Sequence, residues 1–120
     1  MFTTSRHKPA QADSLNVAAV CNIVEETASE KHGLTIGELR TLARFQVMNE
    51  AGSKATNTRL ATATGERQNS IARNSAALRR KGLIVRLPGK TVSITEEGRK
   101  VLSSYRRELA RAMDRLQNVG

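Results

Sequence analysis

Shortages in this sequence remove whole classes of protein before any motif is read. Aromatic residues make up 2% of the 120 positions, as Phe2, Phe45 and Tyr105, with no tryptophan. Single-stranded RNA is usually gripped by stacking bases on aromatic rings, so such binding is disfavoured. A core without aromatics must come from Leu, Ile, Val and Ala, which suits closely packed helices. The single cysteine, Cys21, cannot form an internal disulfide or contribute to a Cys/His metal site, and it suits a reducing cytoplasm. His7 and His32 are the only imidazoles and neither has a carboxylate or nucleophile partner in a recognisable arrangement. With no glycine loop for phosphate either, catalysis and a cofactor are not expected. No apolar run approaches the length of a membrane span, and the opening MFTTSRHKPAQAD lacks the apolar centre of a signal peptide. The expectation is a cytoplasmic protein with no membrane partner.

Carboxylates are scarce in one half of the chain, and that is what the charge reveals. The net charge is +9. Residues 1–53 hold five Lys/Arg against six Asp/Glu, whereas residues 54–111 hold fourteen against four. Charge concentrated in this way points to a polyanion partner rather than to a merely solvated surface.

The chain reads as one domain. Residues 1–12 have the composition of a disordered basic arm, in which Arg6, His7 and Lys8 are available to a phosphate backbone. Over 14–32, Val17, Val20, Cys21, Val24 and Ala28 recur at three and four, a first helix with Asp13 or Ser14 at its start and Gly33 beyond its end. Cys21 falls on the apolar face as a small hydrophobe. Thr35 and Glu38 have capping-box spacing, so a second helix is predicted over 35–51. Its apolar stripe is Ile36, Leu39, Leu42, Ala43 and Val47, with Phe45 off the stripe.

The segment 56–95 carries the densest signals. A short helix over 55–64 stops at Gly65. A second, over 66–81, places Ile71, Ser75 and Leu78 on one face and Asn69, Ser70, Arg73, Ala77 and Arg80 on another. After Gly82, two β-branched runs flank Pro88-Gly89-Lys90, a hairpin over 83–94. Thr95 then caps a helix over 96–118, with Glu96 and Glu97 in its first turn and Leu102, Tyr105, Leu109, Ala112 and Leu116 forming a seam. The fold class is mainly α with a small β-hairpin.

Leu60-Ala61, Gly65, Ser70-Ile71 and Leu78 to Ile84 together resemble the winged helix-turn-helix of bacterial regulators. Ile94-Thr95 with Gly98 resembles the segment after the wing in the MarR-like family. The likeness spans residues 34–103. It departs from the pattern at Thr64, Glu66 and Arg67, and the hairpin lacks the family's Asp-x-Arg wing signature. The resemblance implies a winged helix-turn-helix with long N- and C-terminal helices. It also implies a homodimeric repressor of transcription whose 66–81 helix reads a palindromic double-stranded DNA site. A replication or partition factor of plasmid or phage origin is the alternative use of the same fold.

Within that reading, Gln68, Asn69, Ser70, Arg73 and Asn74 supply the amide, hydroxyl and guanidinium groups that recognise base edges in the major groove. Ala76 and Ala77 allow close approach. Lys54, Arg59, Arg67, Arg79, Arg80, Arg86 and Lys90 suit phosphates, and at least one cation of the Arg79-Arg80-Lys81 run is expected to serve the fold. The family implies a dimer interface from Val17, Val20, Val24, Leu102, Tyr105, Leu109, Ala112 and Leu116. The competing arrangement has the last helix folding back on its own domain. The family often senses small ligands, but no residues here specify an effector.

Overall fold

The computed structural model describes residues 2–119, with side chains from 16 to 118. Five helices and one hairpin run in the order α1 (Phe2–His32), α2 (Ile36–Glu50), α3 (Asn57–Thr64), α4 (Gln68–Arg80), β1 (Ile84–Arg86), β2 (Val92–Ile94) and α5 (Glu96–Val119). Helix α1 is assigned from Phe2 to His32, and the expected basic arm over residues 1–12 falls on its first part. The side chains of Arg6, His7 and Lys8 lie outside the described residues.

Local chemistry sets the helix ends. The Glu38 amide donates to Thr35 Oγ1 at 3.0 Å and the Thr35 amide to Glu38 Oε1 at 3.2 Å, which closes the capping box. Thr56 caps α3 through the Arg59 amide at 3.1 Å, and Gly65 ends that helix at φ 74°. Arg67 provides no side-chain cap for α4. Instead Gln68 Nε2 reaches back to Thr58 Oγ1 at 2.9 Å and ties the start of α4 to α3.

Strands β1 and β2 pair antiparallel with Ile84 opposite Ile94 and Arg86 opposite Val92. The hairpin is anchored on its open side by α2 and by the segment that follows it. The Val92 amide donates to the Ala55 carbonyl at 2.7 Å, Asn49 Nδ2 donates to the Val92 carbonyl, and the Ile94 amide donates to Asn49 Oδ1. Asn49 thus satisfies the β2 edge that a third strand would otherwise occupy.

Leu39, Leu42, Phe45, Ile71, Leu78, Ile84 and Leu102 form the centre of the core. Two expectations for α2 are corrected here. Phe45 is fully buried and the largest core side chain, while Val47 is 68% exposed. The buried face is centred on Leu39, Leu42 and Phe45, spaced three and three, because α4 and β2 pack on that side. Val24 and Leu102, expected at a dimer interface, are buried within the protomer, where α5 lies along α1. Lys31 Nζ joins these helices through Ser104 Oγ and Glu108, both at 3.2 Å.

Candidate nucleic-acid interface

Helix α4 buries Ile71, Ser75, Ala77 and Leu78 and turns Gln68, Asn69, Ala72, Arg73, Arg79 and Arg80 outward. Among the base-reading expectations, Gln68, Asn69 and Arg73 are therefore exposed. Ser70 is half-buried. Asn74 is half-buried on the α2 side: its Nδ2 donates to Thr41 Oγ1 at 3.2 Å and rests 3.3 Å from where a Cβ on Gly37 would lie. Ala77, expected on the outer face, is also buried. The reason is a second ridge. Ser70, Asn74, Ala77 and Lys81 recur at four, three and four, and this ridge faces α2 beside the apolar stripe of Ile71, Ser75 and Leu78. Its polar composition hid it from a hydrophobicity reading, although its spacing was visible. Ala72, which the sequence reading passed over, lies three residues after Asn69 and is exposed between it and Arg73.

The cations sort into two groups. Lys81 Nζ donates to the Gly33 carbonyl at 2.8 Å and to Glu38 Oε1 at 2.7 Å, so it is the member of the Arg79-Arg80-Lys81 run that serves the fold. Lys54, Arg59, Arg67, Arg73, Arg79, Arg80, Arg86 and Lys90 are all exposed. Among the described residues none of these eight has a carboxylate within 4.0 Å. Glu66, the one carboxylate between residues 54 and 95, is held by Arg44 of α2. Uncompensated positive charge therefore runs over α3, α4, the hairpin and their connections, and Arg99, Arg107, Arg111 and Arg115 on α5 are likewise without a carboxylate within 4.0 Å among the described residues. At the hairpin tip Gly89 and Lys90 both adopt positive φ, 80° and 64°, which turns the chain sharply where Lys90 projects.

Solved structures share this arrangement. A MarR-family transcriptional regulator from Streptomyces coelicolor, Sco5413, matches at 22% identity and a TM-score of 0.60, over 93% of this chain and 76% of its own. A candidate transcriptional regulator from Pseudomonas aeruginosa PA01 matches at 24% identity and 0.69, over 98% and 78%. A MarR-family regulator from Rhodococcus sp. RHA1 matches at 19% and 0.61, over 96% and 80%. The fold is the MarR-type winged helix-turn-helix. No family model and no curated protein matches the sequence, so the likeness rests on architecture.

In this MarR-type fold α3 and α4 are the helix-turn-helix, β1 and β2 the wing, and α1 with α5 a separate helical pair. Beyond Glu108 that pair parts into a groove of about 550 Å³ lined by Val20, Ile23, Val24, Thr27, Ala112 and Leu116, with Arg111 and Arg115 at its rim. Ile23 is 61% exposed there, an apolar side chain that the seam reading missed because it lies one residue from Val24. Val17, Val20, Tyr105, Leu109, Ala112 and Leu116 are half-buried, in contrast to Val24 and Leu102. Among the described residues no helix is long and apolar enough to cross a membrane.

Proposed function

We propose that this chain is a sequence-specific double-stranded DNA-binding regulator of transcription, with α4 lying in the major groove. The observation that carries the proposal is the outer face of α4. It presents Gln68, Asn69 and Arg73 within a set of eight uncompensated cations, while the other charged groups of the DNA-facing segment are neutralised by ion pairs. Amide and guanidinium groups recognise adenine and guanine edges, and the surrounding cations bind phosphate without reading sequence. Ala72 leaves room for the duplex to approach. Arg86 and Lys90 place the wing against the backbone.

The protein acts as a homodimer in this reading. The apolar groove between α1 and α5 and the exposed Ile23 support it. Two copies of α4 then sit about 34 Å apart, one turn of DNA, and select an inverted repeat. Such a protein works in the cytoplasm at the nucleoid.

Selection from a randomised duplex pool, followed by titration of the recovered site, tests the proposal. An inverted repeat is expected, with affinity falling by roughly 10³ between 50 and 200 mM salt for six neutralised phosphates. Arg73→Ala is expected to relax the preference at one position in each half-site. Recovery of no preferred sequence from the wild-type protein would refute the proposal.

A further inference from the structure

Asn74 occupies a place that base reading does not explain. It is half-buried on the α2 side of α4, and its donor goes to the hydroxyl of Thr41, which is fully buried. Among the described residues Thr41 Oγ1 has no other side-chain partner in hydrogen-bond range. Gly37, one turn earlier on α2, leaves the space that lets the carboxamide settle there. Lys81 makes a second attachment seven residues later, to Gly33 and Glu38. Seven residues span about 10 Å of helix, so α4 and its C-cap residue are tied by polar bonds to Thr41 and Glu38 on successive turns of α2, with Gly33 before that helix as a further acceptor. Apolar packing alone tolerates small rotations of one helix on another. Directional bonds with a narrow distance range do not.

We propose that Asn74 is a positioning residue: through Thr41 it fixes the roll of α4, and thereby the direction in which Gln68, Asn69 and Arg73 meet DNA. The magnitude is sufficient. Side-chain tips lie about 6 Å from a helix axis, so a roll of about 20° moves them by about 2 Å. Hydrogen bonds to base edges are lost over such a displacement, whereas long flexible cations follow their phosphates. Sequence discrimination is therefore sensitive to Asn74 and general DNA affinity is not. The role depends on α4 being the reading helix, as proposed above, but the roll itself belongs to the free protein.

The test is a double-mutant cycle on Asn74→Ala and Thr41→Val, with Thr41→Ser as the conservative variant and far-UV circular dichroism confirming folded protein. Each single change is expected to lower discrimination between the selected site and random duplex about tenfold, the value of one good base contact. Affinity for random duplex and its salt slope stay at wild-type values. The double variant loses no more than either single one, because both remove the same bond. Thr41→Ser retains discrimination. Loss in Asn74→Ala with none in Thr41→Val would show that Asn74 touches DNA itself, and no loss in either would remove the role altogether. Both outcomes overturn the inference. Residual dipolar couplings of the DNA-free proteins provide the separate readout. Asn74→Ala and Thr41→Val are expected to rotate α4 relative to α2, and an unmoved α4 refutes the inference even if the wild-type protein proves to select no sequence.

Discussion

Gly98 offers a test in which helix propensity and packing predict opposite signs. It lies in the first turn of α5, and a Cβ built there would sit 2.3 Å from the Leu83 carbonyl oxygen and 2.9 Å from Ile94 Cγ2. The nearer obstacle is backbone, so no rotamer change relieves it. That backbone is also held: the Thr95 amide donates to the Leu83 carbonyl at 3.1 Å, Thr95 Oγ1 donates to the Gly82 carbonyl at 2.7 Å, and the Gly98 amide donates to Thr95 Oγ1 at 3.1 Å. Propensity alone makes Gly98→Ala stabilising by about 1 kcal/mol. Against this, forcing a methyl group into a filled site costs about 1–3 kcal/mol. Each hydrogen bond broken as α5 retreats from the root of the wing costs about 1 kcal/mol more. The net expectation is a loss of about 2 kcal/mol, which lowers Tm by about 6–10 °C in a domain of this size. Thermal and urea unfolding followed by circular dichroism, at one protein concentration, measures it. Ala110→Gly on the exposed side of α5 isolates the propensity contribution, about 1 kcal/mol in the destabilising direction. A Gly98→Ala protein as stable as wild type, or more so, would refute the steric reasoning.

Two further perturbations address assembly and pH. Ile23→Lys places an ammonium group in the apolar groove between α1 and α5, whose rim already carries Arg111 and Arg115. Burying it unpaired costs about 3 kcal/mol, so self-association is expected to weaken about a hundredfold, and an undiminished dimer mass by light scattering would show that another surface joins the protomers. Glu25 accepts two bonds from Arg40 at 2.7 and 2.9 Å, and this hydrogen bonding, opposed by burial, holds its carboxyl below the ordinary 4.5. A carboxyl lowered in the folded state contributes stability above pH 4.5 that is lost as the pH falls through its folded value. Arg40→Gln is expected to be less stable at pH 7, with the gap closing under acid conditions. His32 is lowered mainly by burial, with Lys31 adding to the effect and Glu108 opposing it. The unfolded chain therefore takes up that proton first, and stability declines as the pH falls below the ordinary 6.5 of His32. His32→Gln should flatten the urea midpoint between pH 7 and 5.5, and an unchanged slope would contradict this assignment.

Much of the fold was legible because it depends on few neighbouring residues. Thr35 and Glu38 satisfy each other across three positions, and the stop at Gly65 needs only a residue that tolerates positive φ. The hairpin likewise follows from Pro88-Gly89-Lys90 between two β-branched runs. The candidate interface was half legible. Gln68, Asn69 and Arg73 project outward as their phase predicts, and the cations read from sequence are exposed. Ala77 was placed on the wrong face, and the contact of Asn74 with α2 went unread, because periodicity ranks residues by apolarity and the ridge they share with Ser70 and Lys81 is mostly polar. Asn49 gave no signal at all, since its importance lies in two backbone groups of β2 more than forty positions away.

By itself, then, the sequence determined where the later helices start and stop, where the chain turns and which half carries the positive charge. These depend on side chains acting on backbone within about four residues, or on composition alone. Tertiary structure decided which flank of each helix is inside. Successive helical residues point about 100° apart, so a position at the edge of a stripe, such as Asn74, Val47 or Ile23, is inward or outward according to the neighbour that packs there. It also decided which cations remain free, because Lys81 and Arg44 find their carboxylates on other elements. Coulombic pairing acts through space, and linear order does not specify it.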